Sequence, residues 1–202
     1  MGDCMSIATK TSSPKQNLFN VPNQLTVSRL VLSIVLFVLI GLKMYLAGLV
    51  LFVVAASTDW LDGYYARKYG QVTTLGRILD PFVDKIIICG TFIFLAAVPG
   101  SGIVPWMAVV VVGRELLVTA LRSYLEGEGA DFSANWAGKL KMVLQCVAAG
   151  ASLYALYALS HSDRPGWVHY TLVISVWSAV GLTVYSGLAY VQRAIAIMRG
   201  QG

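Results

Sequence analysis

Six apolar runs divide this chain. They occupy about 24–42, 44–67, 76–98, 103–124, 135–157 and 168–191, and each is close to the roughly 17–25 residues that a helix needs to cross a bilayer. The breaks between them carry turn chemistry: "GLK" at 41–43, "VPGSG" at 98–102, "EGEGADFSAN" at 126–135 and "SHSDRPG" at 160–166. Backbone polar groups in lipid must be satisfied within the segment, so each run is predicted as a helix. The pattern predicts an all-α integral membrane protein of six transmembrane helices. A polar segment, 1–19, precedes a single membrane domain over 20–202.

Composition supports this picture. Hydrophobic residues make up 57% of the chain and charged residues 12%, about half the usual charged share. The net charge of +5 does not call for nucleic acid, because excess Lys and Arg in such a chain reports loops facing an anionic leaflet. With the N-terminus inside, the outer turns carry only Lys43 and Arg164. Lys10, Lys15, Arg29, Arg67, Lys68, Arg77, Lys85, Arg122, Lys139, Lys141, Arg193 and Arg199 then fall on the inner side. Both termini are then expected on the cytoplasmic side. Cys4, Cys89 and Cys146 lie too far apart for a disulfide framework or a metal spacing. His161 and His169, at the last outer loop, read as ordinary loop residues.

Four aspartates break the apolar pattern where the second and third runs meet. In "TDWLDGYYARKYGQVTTLGRILDPFVDK" (58–85), helical spacing puts Asp59, Asp62 and Ala66 on one face with Arg67 beside it. Gly76, Asp80 and Asp84 recur at four-residue steps on the next helix. The short turn makes the helices antiparallel neighbours whose acidic stripes can face each other at the cytoplasmic boundary. Two carboxylates ~4 Å apart repel by about 4 kcal/mol at an effective dielectric near 20, so the cluster calls for a cation. Hard oxygen ligands without His or Cys suit Mg²⁺, Mn²⁺ or Ca²⁺. Four carboxylates suit two such ions, an arrangement used for displacement at phosphorus. Gly63, Gly76 and the small Ala66 let a ligand approach the helix backbone, and Arg67 can clamp a phosphate.

Written as Asp59-x₂-Asp62-Gly63-x₂-Ala66-Arg67-x₈-Gly76-x₃-Asp80-x₃-Asp84, the stretch resembles the signature of the CDP-alcohol phosphatidyltransferase family, with every signature position occupied. The resemblance implies six transmembrane helices around a cytoplasm-facing polar cavity, two Mg²⁺ or Mn²⁺ ions, homodimers, and transfer of a phosphatidyl group from a CDP-linked lipid to an alcohol with release of CMP. It implies Asp59, Asp62, Asp80 and Asp84 as metal ligands and Asp84 also as the general base. Gly63, Ala66 and Gly76 would accommodate the cytidine and its diphosphate. The blocks "NVPNQLTVSRL", "LDPFVDK", "GRELLVTALR" and "WAGKLK" are similar to the branch of the family that makes phosphatidylglycerol phosphate. That similarity implies CDP-diacylglycerol and sn-glycerol 3-phosphate as substrates. A branch using phosphatidylglycerol shares some of these blocks, and phosphatidylglycerol, inositol phosphate and serine remain alternative acceptors.

The residues outside the signature have physical readings of their own. Asn23 can cap the first helix, and Asn23, Thr26 and Arg29 are placed to reach a nucleotide or, alternatively, to serve as a cap and a snorkelling arginine. Arg114 falls near mid-membrane, where an ionisable residue is functional by default, with Glu115 beside it as a partner or an ordering group. Arg122 lies two turns further on, roughly on the same side. Lys139 and Lys141 open the fifth helix and, two positions apart, cannot share a face. Together Arg114, Arg122, Lys139 and Lys141 are predicted to form a basic pocket for an acceptor phosphate. Small residues recur along the last helix at Ser175, Ala179, Gly181, Thr183 and Gly187, a pattern that admits close helix approach. A cation transporter using the aspartates as its filter is the non-enzymatic rival; an arginine among the ligands speaks against it.

Overall fold

A computed structural model describes the backbone of residues 21–69, 74–127, 136–161 and 165–198, and the side chains within 27–57, 82–83, 85–125, 140–161 and 165–197. Six helices account for nearly all of it: α1 (Val21–Gly41), α2 (Tyr45–Tyr69), α3 (Thr74–Ala96), α4 (Pro105–Gly127), α5 (Trp136–His161) and α6 (Gly166–Met198). No strand occurs among the described residues. Each helix coincides with one of the six apolar runs.

The helix ends follow the turn residues. α1 closes with a left-handed Lys43 (φ 60°), whose N–H bonds to Ile40 O at 3.0 Å while Met44 N–H reaches Leu39 O at 2.9 Å. This is the paired bonding of a Schellman cap, with lysine where glycine is usual. The α3–α4 turn uses positive φ at Gly100 (89°) and Gly102 (77°). It is pinned from inside the bundle by Ser152 Oγ of α5, which donates to Ser101 O at 2.7 Å. At the other end, α1 begins two residues before Asn23. Asn23 therefore sits within the first turn and not at the cap, and Pro22 is tolerated there because its missing N–H would have no helical acceptor.

The helices pack as a ring, α1–α2–α5–α6–α4–α3, with α3 also touching α5 across the middle. Leu36, Ile40, Phe92, Leu95, Leu153 and Leu172 are fully or almost fully buried in the shared core. Close approach of α1 to α3 depends on Gly90: a Cβ there would lie 2.1 Å from Phe37 Cζ. The Phe37 ring instead stacks on Phe94 at 4.9 Å and 8°.

The exterior is as apolar as the core. Val109 is 70% exposed, Ile174 63% and Leu188 60%. On α1, Val27, Val31, Val35, Val38 and Leu42 form an outward stripe opposite buried Ser33, Leu36 and Ile40. Helices that are hydrophobic on every side belong in a large core or in lipid. Among the described residues two stretches are long and apolar enough to cross a membrane by length and composition, Leu140–His161 (22 residues) and Gly166–Ile197 (32 residues). α4 is less uniformly apolar, because Arg114, Glu115 and Arg122 interrupt it.

α6 differs most from expectation. It runs to Met198, past the apolar pattern that ends near 191, and at 1.5 Å per residue its 33 residues span roughly 50 Å. The extension is held by tertiary packing: Tyr190 and Ala194 bury against Val118 and Leu125 of α4.

Candidate active site

The acidic signature is divided between two helices. Asp59, Asp62, Gly63, Ala66 and Arg67 lie in the last turns of α2, and Gly76, Asp80 and Asp84 in the first half of α3. The helical backbone there keeps the one-face spacing that the sequence predicts. α1 and α5 each pack against both α2 and α3, so the two acidic segments belong to one bundle. The side chains of these eight residues, and those of Asn23, Thr26 and Lys139, lie outside the described set. As a donor set the four carboxylates suit hard divalent cations.

Arg29 is described. It is 8% exposed on α1, and Ser33 Oγ donates to its carbonyl at 2.8 Å. A snorkelling arginine would keep its head in water; this one is buried within the bundle.

A second polar cluster joins α4, α5 and α6. Glu115, 8% exposed, accepts from Arg114 Nη1 at 3.2 Å and also bonds to Lys141 Nζ across the α4–α5 gap. The sequence left open which of the two lysines turns inward: Lys141 does, at 5% exposure. On the α6 side, Arg122 Nη2 donates to the Tyr190 hydroxyl at 3.3 Å. The Tyr190 ring lies 5.5 Å from the Arg114 guanidinium carbon and 6.0 Å from that of Arg122, within cation–π range of both. Deeper in the bundle, Gln145 Nε2 donates to Thr183 Oγ1 at 3.0 Å.

Among the described residues three cations, Arg114, Arg122 and Lys141, meet one carboxylate, Glu115, leaving a surplus of two positive charges. Nε of Arg114 and Nε of Arg122 are buried without a hydrogen-bond partner among the described residues. An unsatisfied buried donor costs ~1–3 kcal/mol, and more when charged. Arg114 is nine residues into α4, about 14 Å along the axis, so the cluster lies well inside the bundle.

Comparisons with known proteins place the chain in a family. The model for CDP-alcohol phosphatidyltransferase matches residues 19–185. The chain belongs to that family. A relative from Bacillus subtilis (strain 168), named CDP-diacylglycerol–glycerol-3-phosphate 3-phosphatidyltransferase, is 35% identical over 195 residues, covering 86% of this chain and 94% of its own. A relative of the same name from Escherichia coli (strain K12) is 33% identical over 193 residues, covering 91% of this chain and 99% of its own. This CDP-alcohol phosphatidyltransferase is therefore an enzyme of that type. With the family established, the apolar exterior and the two long apolar helices make it a membrane protein.

Tyr190 and Gly187 were missed as site residues by sequence reasoning. For Gly187 the signal was present in the small-residue series of the last helix, read there only as close packing; Tyr190 carried no such signal. Of that series Ser175, Ala179, Thr183 and Gly187 are buried, whereas Gly181 is exposed with nothing near it. Gly187 makes room for a charged side chain: a Cβ there would lie 3.0 Å from Arg114 Cγ.

Proposed function

We propose that this enzyme transfers the phosphatidyl group of CDP-diacylglycerol to sn-glycerol 3-phosphate, forming phosphatidylglycerol phosphate and CMP. The observation that carries the choice of acceptor is the surplus of two positive charges among the described residues at half-buried Arg114 and Arg122 and buried Lys141, with two arginine Nε atoms lacking partners among the described residues. A dianionic phosphate monoester matches that surplus, whereas a neutral hydroxyl acceptor does not use it. The names of the two relatives point to the same acceptor.

On this reading Arg114, Arg122, Lys141 and Lys139 hold the acceptor's phosphate and leave its far hydroxyl directed toward the acidic segments. Asp84 takes that hydroxyl's proton. The oxygen attacks the phosphorus that carries the diacylglycerol, and the bond from this phosphorus to the CMP oxygen breaks, so no covalent enzyme intermediate is required. Arg67 clamps the diphosphate, and Asn23, Thr26 and Arg29 approach the nucleotide from α1. Gly63, Ala66 and Gly76 leave its path open. Asp59, Asp62, Asp80 and Asp84 would hold two Mg²⁺ or Mn²⁺ ions. When bound, these ions supply charge neutralisation at the diphosphate and at the leaving group.

All six helices span the bilayer in this proposal. The active site opens into a polar cavity on the cytoplasmic side of a bacterial inner membrane, where soluble acceptor is found, and the enzyme works as a homodimer among membrane lipids. The positive-inside asymmetry supports the orientation. The test is membranes containing the protein, CDP-diacylglycerol and Mg²⁺, offered glycerol 3-phosphate, inositol phosphate, phosphatidylglycerol or serine. Release of CMP is expected to be fastest with glycerol 3-phosphate; a better rate with any other acceptor would reassign the substrate.

A further inference from the structure

Tyr190 has no place in the acidic signature and lies beyond residues 19–185 that match the family. Its surroundings are nonetheless those of a working residue. It is 6% exposed, its hydroxyl accepts from Arg122, and its ring lies within 6.0 Å of both guanidinium carbons. One turn earlier, Gly187 leaves the space through which the Arg114 stem passes.

Two guanidinium groups near each other in a bundle interior repel, and each can adopt many rotamers. An aromatic ring within cation–π range of both offsets part of the repulsion through its quadrupole and restricts both planes. One Nη atom of each arginine is already committed, Arg114 to Glu115 and Arg122 to the Tyr190 hydroxyl. Nε of each remains, buried and without a partner among the described residues; Arg114 also keeps Nη2, the nitrogen on the Nε side, whereas in Arg122 that nitrogen holds the Tyr190 hydroxyl through one of its two hydrogens. An Nε–H edge beside an Nη–H is the fork that grips a phosphate oxygen pair.

We infer that Tyr190 is a positioning residue for the acceptor: α6 provides a socket, Gly187 with Tyr190, that fixes Arg114 and Arg122 so that both present their Nε edges to one phosphate monoester. This inference rests on the acceptor pocket proposed above and adds to it a specificity device on the last helix. Tyr190 touches neither the reacting phosphorus nor the nucleotide in this scheme, so its loss acts on acceptor affinity alone.

The test is steady-state kinetics of the full-length enzyme in detergent–lipid micelles, varying glycerol 3-phosphate and CDP-diacylglycerol separately, with inorganic phosphate as a competitive probe. Tyr190→Phe, which keeps the ring and loses the hydroxyl, is expected to raise KM for glycerol 3-phosphate about threefold. Pentafluorophenylalanine incorporated at position 190 keeps the shape and reverses the ring quadrupole. It is expected to raise that KM about tenfold, as is Tyr190→Leu. The inhibition constant of inorganic phosphate should rise in parallel, while kcat and KM for CDP-diacylglycerol stay within about twofold. A purely packing role would make KM follow thermal stability across the series and would leave the isosteric fluorinated ring without effect; either result overturns the inference. Arg114→Ala, measured alongside, separates the two levels. If it raises acceptor KM while the position-190 series does not, the platform is wrong and the pocket stands. If neither moves acceptor KM, the pocket is misplaced and the inference falls with it. Should Tyr190→Leu fail to fold, the Phe and fluorinated variants decide the question.

Discussion

The acidic segments on α2 and α3 and the basic cluster on α4, α5 and α6 handle charge inside an apolar bundle in opposite ways. The aspartates are four like charges on two consecutive helices, with spacing that any helix preserves. In the proposed mechanism they take their compensation from bound cations. The basic cluster is of mixed sign and carries part of its compensation with it. Glu115 bonds Lys141 from 26 positions away, and Tyr190 meets Arg122 across 68. A site made from local spacing can be read as a motif. A site made from contacts between distant helices depends on rotamers and packing, and its members look unremarkable one at a time.

The largest expected effect lies on the acidic side. Asp59→Asn or Asp80→Asn should lower turnover by about three orders of magnitude or more, with the protein still eluting as a folded species in detergent. EDTA should abolish wild-type activity, and Mg²⁺ or Mn²⁺ should restore it. Full activity in a chelated sample would end the two-metal account, and with it the contrast between imported and built-in counter-charge.

Asp84→Asn should cost roughly 10²–10⁴-fold in rate while nucleotide binding, measured by calorimetry, persists. A base is needed for chemistry and not for docking, so near-normal turnover in this variant would remove the assignment.

On the basic side, Arg114→Ala or Arg122→Ala should raise KM for glycerol 3-phosphate by about one to two orders of magnitude, as for ~1.5–3 kcal/mol lost with a charged hydrogen bond. KM for CDP-diacylglycerol should move little. A parallel rise in both constants would merge the two regions into one site and break the comparison.

Glu115→Gln sharpens it further. Removing one partner of a buried ion pair leaves the others uncompensated, so a loss of about 3 kcal/mol in stability is expected, read from thermal unfolding in detergent. Adding Lys141→Met should recover part of that loss. Simple additivity of the two single effects would mean that the carboxylate does not serve as the lysine's counter-ion.

The smallest effect on catalysis should come from Gly90→Ala, where the new methyl must displace the Phe37 ring. Overpacking of this kind costs roughly 1–3 kcal/mol, with specific activity per folded molecule unchanged. A change in KM for either substrate would show that α1–α3 packing reaches the site.

The sequence by itself determined a good deal. Six apolar runs mark six helices because a helix satisfies its own backbone and needs only local residues to form. The turns fell where "GLK" and "VPGSG" supply residues at 41–43 and 98–102, and the structure places positive φ at Lys43, Gly100 and Gly102. The eight-position acidic signature names the family, and helical periodicity alone puts its members on common faces.

Tertiary structure decided the rest. It extended α6 to Met198 by packing Tyr190 and Ala194 on α4, where the apolar pattern had already faded. Lys141 was turned inward by a partner, Glu115, that sits on another helix. Arg29, which sequence left between a surface role and an interior one, became a buried residue. Gly187, from a weak small-residue stripe, and Tyr190, which no sequence pattern singled out, became the socket around Arg114 and Arg122. The physical reason is the same in each case. Helix formation and facial spacing are short-range properties that the chain encodes within a few residues, whereas the state of a buried charge depends on which atoms a distant helix brings within about 3 Å to 6 Å of it.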